Sequence, residues 1–160
     1  MSNEDYVIKR NGQREIISFD KILNRVKKLG GNDLSVNYTS LVQKIIDRLY
    51  DEIPTTQIDE LTAQQCASLI TTHGDYGELA SRILISNHHK NTPKTFHETM
   101  STLYHFKDIN DKQYPLISNE LWDIVDNNKD DLENIINYER DYLIDYFGFK
   151  TLERAYLMRV

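Results

Sequence analysis

Hydrophobic and polar positions change rhythm several times along this chain. Tyr6-Val7-Ile8 is an aromatic and β-branched run of the kind strands prefer. Asn11-Gly12 interrupts it and predicts a hairpin with a type I′ turn, which needs positive φ at both central residues. Arg14-Glu15-Ile16-Ile17 alternates again, as a second strand would. The period then lengthens. Ile22, Leu23, Val26 and Leu29 recur at helical spacing, with Asp20 placed as N-cap and Gly30-Gly31 as the stop.

The helical rhythm returns three times. A second helix is predicted from about Thr39 to Tyr50, with Leu41, Val42, Ile45, Ile46 and Leu49 on one face, broken by Asp51–Pro54. Ile53-Pro54-Thr55 suits a short strand beside the hairpin. A third helix opens at Thr56, with Asp59 three residues on as an acidic variant of the capping box, and Leu61, Cys66, Leu69 and Ile70 inward. Gly74 interrupts, and a fourth runs from about Asp75 to His89 with Leu79, Ala80, Ile83 and Leu84 inward. Four short amphipathic helices and a hairpin can bury one small core.

Beyond Asn91-Thr92-Pro93 the pattern changes. Lys94–Phe106 reads as a helix and Asp108–Tyr114 as a polar loop. Leu116–Val125 reads as a helix with Ser118 as N-cap and Trp122 as its one large anchor. Asn127–Asp131 reads as a solvated acidic stretch. Leu132–Leu157 is rich in aromatics, is split by Gly148, and carries an apolar face at Leu152, Tyr156 and Leu157 that wants a partner. The chain ends at Val160 without a stop signal, as part of something longer would.

Composition narrows the function classes. A hydrophobic fraction of 39% excludes a disordered chain, and a net charge of −6 argues against a general nucleic-acid binder. That charge is uneven: residues 1–28 hold seven Lys/Arg against four Asp/Glu, and the remainder twelve against twenty-one. An anionic small ligand therefore has one natural place to go, near the N-terminus. Cys66 is the only cysteine, which excludes a disulfide framework, a zinc ribbon and a dithiol pair, and it reads as a small apolar helix residue. No apolar run reaches membrane-spanning length and Met1–Asp5 is too polar for a leader, so the expected setting is the reducing cytoplasm, with no membrane and no nucleic-acid partner.

Candidate chemistry gathers at the hairpin. Lys9, Arg10, Arg14 and Lys21 surround one turn and one helix N-terminus, where free N–H groups and fixed cations suit a phosphate. Spacing alone favours the plainer reading, a solvated basic hairpin. His88-His89 point about a hundred degrees apart on a helix and cannot form a tetrahedral metal site by themselves. His97 and His105 read as surface residues, and Asp126, Asp130 and Asp131 lack the glycine and bidentate glutamate of a calcium loop. No metal ligand set is predicted.

At this point the residues carry a resemblance. VIKRNGQREIISFDKI, residues 7–22, is similar to the opening of the ATP-cone, the nucleotide-sensing domain of many ribonucleotide reductase large subunits. YDEIPTTQIDEL, residues 50–61, resembles the entry to the third helix of the cone. Thr72–Tyr76 with Leu79–Ile83 resembles its fourth helix, and Ser86–Lys90 the end of that helix. YFGFKTLERAYL, residues 146–157, is similar to the segment joining the cone to the helical part of class I large subunits, of the eukaryotic and large-DNA-virus type. The pieces stand in the right order across nearly the whole chain.

The resemblance implies a mainly α fold: a small β-sheet lid over a four-helix bundle, with the nucleotide between them, followed by an all-α segment. It implies an ATP-cone over residues 5–94 and the start of the reductase helical domain over 95–160. It implies ATP as activator and dATP as inhibitor, with magnesium accompanying the triphosphate. The partners it implies are the remainder of the large subunit, the small subunit and a nucleotide-dependent oligomer. By position, the family's nucleotide contacts fall on Lys9 and Arg10, on Glu15, Ile16, Ile17, Ser18, Phe19, Asp20 and Lys21, and on Thr55, Asp59 and Lys90. The residue types agree: Lys9, Lys21 and Lys90 suit a triphosphate, the backbone of Ile16 and Ile17 an adenine edge, and Thr55 and Asp59 a base or sugar. Plainer readings stand beside these. Asp59 can simply cap helix three, Lys90 can answer a helix C-terminus, and Lys21 can be a solvated first-turn residue.

Catalytic residues are not expected here. Reductase chemistry needs a thiyl-forming cysteine, a reducing cysteine pair and a carboxylate on a downstream barrel, whereas this chain has Cys66 alone. The chain is then either a fragment of a large subunit or a stand-alone cone, and the run FGFKTLERAYL favours the fragment. The alternative function is a degenerate cone serving as a helical protein-interaction module. A cone-bearing transcriptional regulator is disfavoured, since such proteins carry a zinc ribbon ahead of the cone.

Overall fold

A computed structural model describes residues 5–157. Met1–Glu4, including most of the polar N-terminus noted above, and the terminal Val160 lie outside the described residues. Two antiparallel strands, β1 (Tyr6–Ile8) and β2 (Arg14–Ile16), pair Val7 with Glu15. β3 (Ile53–Pro54) adds parallel to β1, so the order is β2-β1-β3 and the expected third strand is present. The hairpin turn differs from expectation. Gly12 N–H closes onto Lys9 O at 2.9 Å, Lys9 N–H onto Gln13 O at 2.8 Å, and only Gly12 has positive φ, at 80°. That is a three-residue loop with a left-handed glycine, not a two-residue type I′ turn. It leaves Arg10 inside the loop rather than on a strand.

Four helices follow: α1 (Phe19–Gly30), α2 (Tyr38–Ile46), α3 (Thr55–Ser68) and α4 (Asp75–Asn91). Helix α1 is capped by Ser18, whose Oγ accepts from Lys21 N–H at 3.4 Å, rather than by Asp20. Starting the helix at Phe19 lets that ring pack on the core, and Asp20 then sits in the first turn, where the helix dipole favours an acid. Gly31, at φ 64°, ends it as expected. Helix α2 stops at Ile46, short of Tyr50, because the chain must swing round to lay Ile53 beside Val7. Glu52 takes positive φ in that swing and donates its N–H to Tyr6 O at 2.8 Å.

The core is built from one face of each helix. Val26, Leu41, Val42, Ile45, Ala63, Cys66, Leu79, Ala80, Ile83, Leu84 and Ile85 are buried together. A smaller cluster of Val7, Ile53 and Ile58 lies under the sheet. Burial pushes the Cys66 thiol up to about 12, so it stays protonated near neutral pH and serves as packing.

By compactness the chain forms two units. One runs through Asn87 and resumes at Asp141; the other is His88–Arg140. The first therefore includes a 3₁₀ turn (Tyr138–Leu143) in part, and α8 (Tyr146–Ala155) in full. Gly148 does not split this region. It lies in the first turn of α8, where its N–H donates to Asp145 Oδ1 at 2.6 Å. Phe149, 6% exposed, joins the bundle core, and Tyr142, Ile144 and Tyr146 pack against the same cluster. Lys150 Nζ reaches Glu60 Oε1 on α3 at 2.6 Å and Glu153 Oε2 at 3.0 Å. Burial alone would lower the lysine's pKa; the two carboxylate hydrogen bonds outweigh it and raise it, so this ion pair is intact at neutral pH and is lost only as pH rises through that raised value.

The second unit contains α5 (Phe96–Tyr104), α6 (Asn119–Asn127) and α7 (Lys129–Ile135). Thr95 and Glu98 form a capping box at α5, and Ser118 caps α6 as expected. Trp122 is the anchor: it stacks on Tyr104 at 5.1 Å and is flanked by His97 and His105. Helix α7 was not expected. Its acids Asp130 and Asp131 occupy a first turn, where negative charge is stabilising, rather than a loop.

Candidate functional site

The hairpin, the first two turns of α1, the start of α3 and Ser86 and Asn87 of α4 bring polar and charged side chains together. Lys9 and Lys21 both pair with Glu15, one on each carboxylate oxygen. Lys21 arrives there because Ser18 starts the helix three residues earlier, and Glu15 because the strand alternation sends it to the side of its partner Val7. Of the basic group expected from the sequence, Lys9 and Lys21 meet on Glu15, while Arg10 turns to Asp59 and Asn87. Arg14 leaves the group: its guanidinium lies 3.9 Å over the Tyr6 ring and pairs with Asp51 and Glu52 at 3.7 and 3.5 Å.

A second group forms beside the first. Asp59, 7% exposed, does not cap α3, which opens at Thr55 after Pro54 with no side-chain cap. With the helix begun at Thr55, Asp59 falls past the first turn and faces two arginines. Arg25 grips it twice, Nε to Oδ1 at 3.4 Å and Nη2 to Oδ2 at 3.2 Å, while Arg10 Nη2 approaches Oδ2 at 3.5 Å. Helix α4 completes the group: Arg25 also donates to Ser86 Oγ at 3.0 Å, Arg10 to Asn87 Oδ1, and Asn87 Nδ2 to Thr56 O at 3.3 Å. Among the described residues no buried side-chain polar atom lacks a partner.

Arg25, Ser86 and Asn87 were not foreseen. Their partners lie dozens of residues away in sequence, so no local pattern marks them. One signal was available: Arg25 follows Lys21 by four residues, which puts both cations on one face of α1.

The backbone of β2 offers a different kind of contact. Ile17 N–H donates to Asp5 O at 2.9 Å and Lys9 N–H to Gln13 O, so odd-numbered residues of β2 point their polar groups at β1. Ile16 N–H and C=O therefore face the outer edge, where no strand pairs among the described residues. Of the remaining predicted residues, Thr55 is half-buried at the start of α3 and Asp20 is exposed. Lys90 is an exposed residue in the last turn of α4 and falls in the second compact unit.

Chemically, the first unit gathers four cations, Lys9, Arg10, Lys21 and Arg25, on two carboxylates, Glu15 and Asp59. Cations outnumber carboxylates in these pairs, four to two. That excess, next to an open strand edge and a helix start, suits a polyanion carrying a planar group with donor and acceptor atoms. Among the described residues no three potential metal-binding side chains cluster, and no helix is long and apolar enough to cross a membrane.

Comparison with known proteins points the same way. The profile of the ATP cone domain matches residues 5–91. The chain is 45% identical over 161 residues to a ribonucleoside-diphosphate reductase large subunit of Caenorhabditis elegans, covering 99% of this chain and 20% of that protein. It is 43% identical to the large subunit of Variola virus (97% and 20%) and 43% identical to ribonucleoside-diphosphate reductase large chain 2 of Saccharomyces cerevisiae (97% and 18%). The chain spans about a fifth of the length of the relatives it matches.

Proposed function

This chain belongs to the ATP-cone family, and on that premise we propose that it is the allosteric activity-regulating part of a ribonucleoside-diphosphate reductase large subunit, binding ATP as activator and dATP as inhibitor. The observation that carries this reading is the gathering of four cations, Lys9, Arg10, Lys21 and Arg25, around Glu15 and Asp59, beside the open edge of β2.

In this reading Lys9, Lys21 and Arg10 hold the triphosphate, with its magnesium, and exchange their carboxylate partners for phosphate oxygens. Glu15 fixes the two lysine ammonium groups in the meantime. Ile16 reads the adenine edge through its backbone, with Ile17, Ser18, Phe19 and Asp20 shaping the entry to α1. Thr55 and Asp59 lie toward the base and sugar. The division of labour is a nucleotide-binding part over 5–94 and the start of the reductase helical domain over 95–160. Effector binding then shifts how the large subunit associates with itself and with the small subunit in the cytoplasm. The radical chemistry belongs to the rest of the enzyme, since the one thiol here is buried and protonated.

Calorimetric titration of the chain tests this. ATP and dATP are expected to bind with micromolar affinity and GTP at least tenfold more weakly. No heat with any of the three, on a chain shown to be folded, overturns the reading in favour of a helical interaction module.

A further inference from the structure

The two arginines on Asp59 are not equivalent. Arg25 meets the carboxylate with a two-pronged grip at 3.4 and 3.2 Å, the fork-on-fork arrangement that gives Arg–carboxylate pairs their strength and direction. Arg10 reaches one oxygen of it, at 3.5 Å, the outer limit of a hydrogen bond. Arg25 is further fixed by Ser86 Oγ at 3.0 Å and comes from the second turn of a regular helix. Arg10 comes from the three-residue loop and is also held by α4, donating to Asn87 Oδ1, but that partner is a neutral amide and is not left with an unpaired charge when Arg10 moves. One carboxylate needs one counter-ion. With Arg25 in place, Arg10 can leave Asp59 without stranding a carboxylate that is only 7% exposed. Without Arg25, Arg10 becomes the sole partner of that carboxylate, and pulling it away would leave a nearly buried charge unpaired.

We propose that Arg25 is a positioning residue of the nucleotide site: by neutralising and orienting Asp59 it releases Arg10 from the carboxylate so that Arg10 can turn to the anionic ligand. The inference rests on the proposed nucleotide reading and deepens it. Arg25 itself does not touch the ligand; it sets how cheaply Arg10 becomes available.

A double-mutant cycle on the full chain, read by ATP titration, tests it. R25Q is expected to weaken ATP binding about tenfold and R10Q by a similar factor. The R10Q/R25Q chain is expected to bind no more weakly than R10Q alone, because Arg25 acts through Arg10. R25K, which keeps the charge but not the fork, is expected to recover most of the affinity lost in R25Q. Thermal unfolding of each variant separates these effects from stability. Should R25Q not fold, the same cycle run with R25K must show the same non-additivity at smaller size. Losses that add in the double variant overturn the inference, since they mean direct contact of Arg25 with the ligand. So does unchanged affinity in folded R25Q, which means a purely structural role. Failure of the intact chain to bind any nucleotide overturns the underlying reading and this inference with it, and is distinguished by appearing before any substitution is made.

Discussion

Replacing Lys9 and Lys21 together by alanine is expected to weaken ATP binding about a hundredfold while leaving the fold in place. Each lysine supplies a charge-assisted contact worth roughly 1.5–3 kcal/mol when fully formed. Both are substantially exposed, with side chains 42% and 68% accessible, so solvent screening reduces that and a combined loss of about 3 kcal/mol is the expected figure. Stability should change little, because exposed ion pairs typically contribute under about 1 kcal/mol. Glu15 loses both partners but keeps access to water, so it is not stranded. Titration calorimetry beside a thermal melt separates the two quantities. An unchanged dissociation constant would place the phosphate elsewhere, and a collapse of the melt would mean that the pair is structural.

Phe149→Ala is expected to have the largest effect on stability, about 3 kcal/mol. The ring is 6% exposed within the same core as Leu41, Ile45 and Ile83, and truncation of a buried phenylalanine removes its transfer free energy and leaves a cavity. For a chain of this size that lowers Tm by roughly 6–12 °C. The neighbouring Lys150–Glu60 pair is half-exposed and should contribute under about 1 kcal/mol, so K150M provides the contrast. A loss below about 1 kcal/mol in F149A would show that α8 merely rests on the bundle. The expected loss would show that α8 is packed into the same core as α1–α4.

The bundle was legible because its determinants are local. Leu79, Ala80, Ile83 and Leu84 repeat at helical spacing and all four are buried. Gly31 ends α1 and Ser118 begins α6, each marked by a residue whose conformation or hydroxyl suits that position. The sheet was legible to the third strand. Sequence pattern and structure part where two good local signals compete. Ser18 and Asp20 are both N-cap residues, and the need to bury Phe19 decided for Ser18. The acids Asp130 and Asp131 fit a solvated loop and a helix first turn equally well from composition.

The site was legible only in its local half. Lys9, Glu15 and Lys21 lie within one hairpin and one turn, and the structure pairs both lysines with Glu15, while Arg10 of the same hairpin turns to Asp59. The other half depends on long-range packing. Asp59 looks like a cap in sequence and becomes a buried acceptor because Pro54 fixes where α3 starts. Arg25 has no local partner, and its role appears only when α3 and α4 deliver Asp59 and Ser86 to it.

The account turns on where the nucleotide sits, and amide hydrogen exchange with and without ATP measures that directly. ATP is expected to slow exchange at residues 9–21, including the outward-facing Ile16 amide, and at 55–59, with 96–135 unchanged. Protection confined to 96–157, with the hairpin and α1 unaffected, would contradict it.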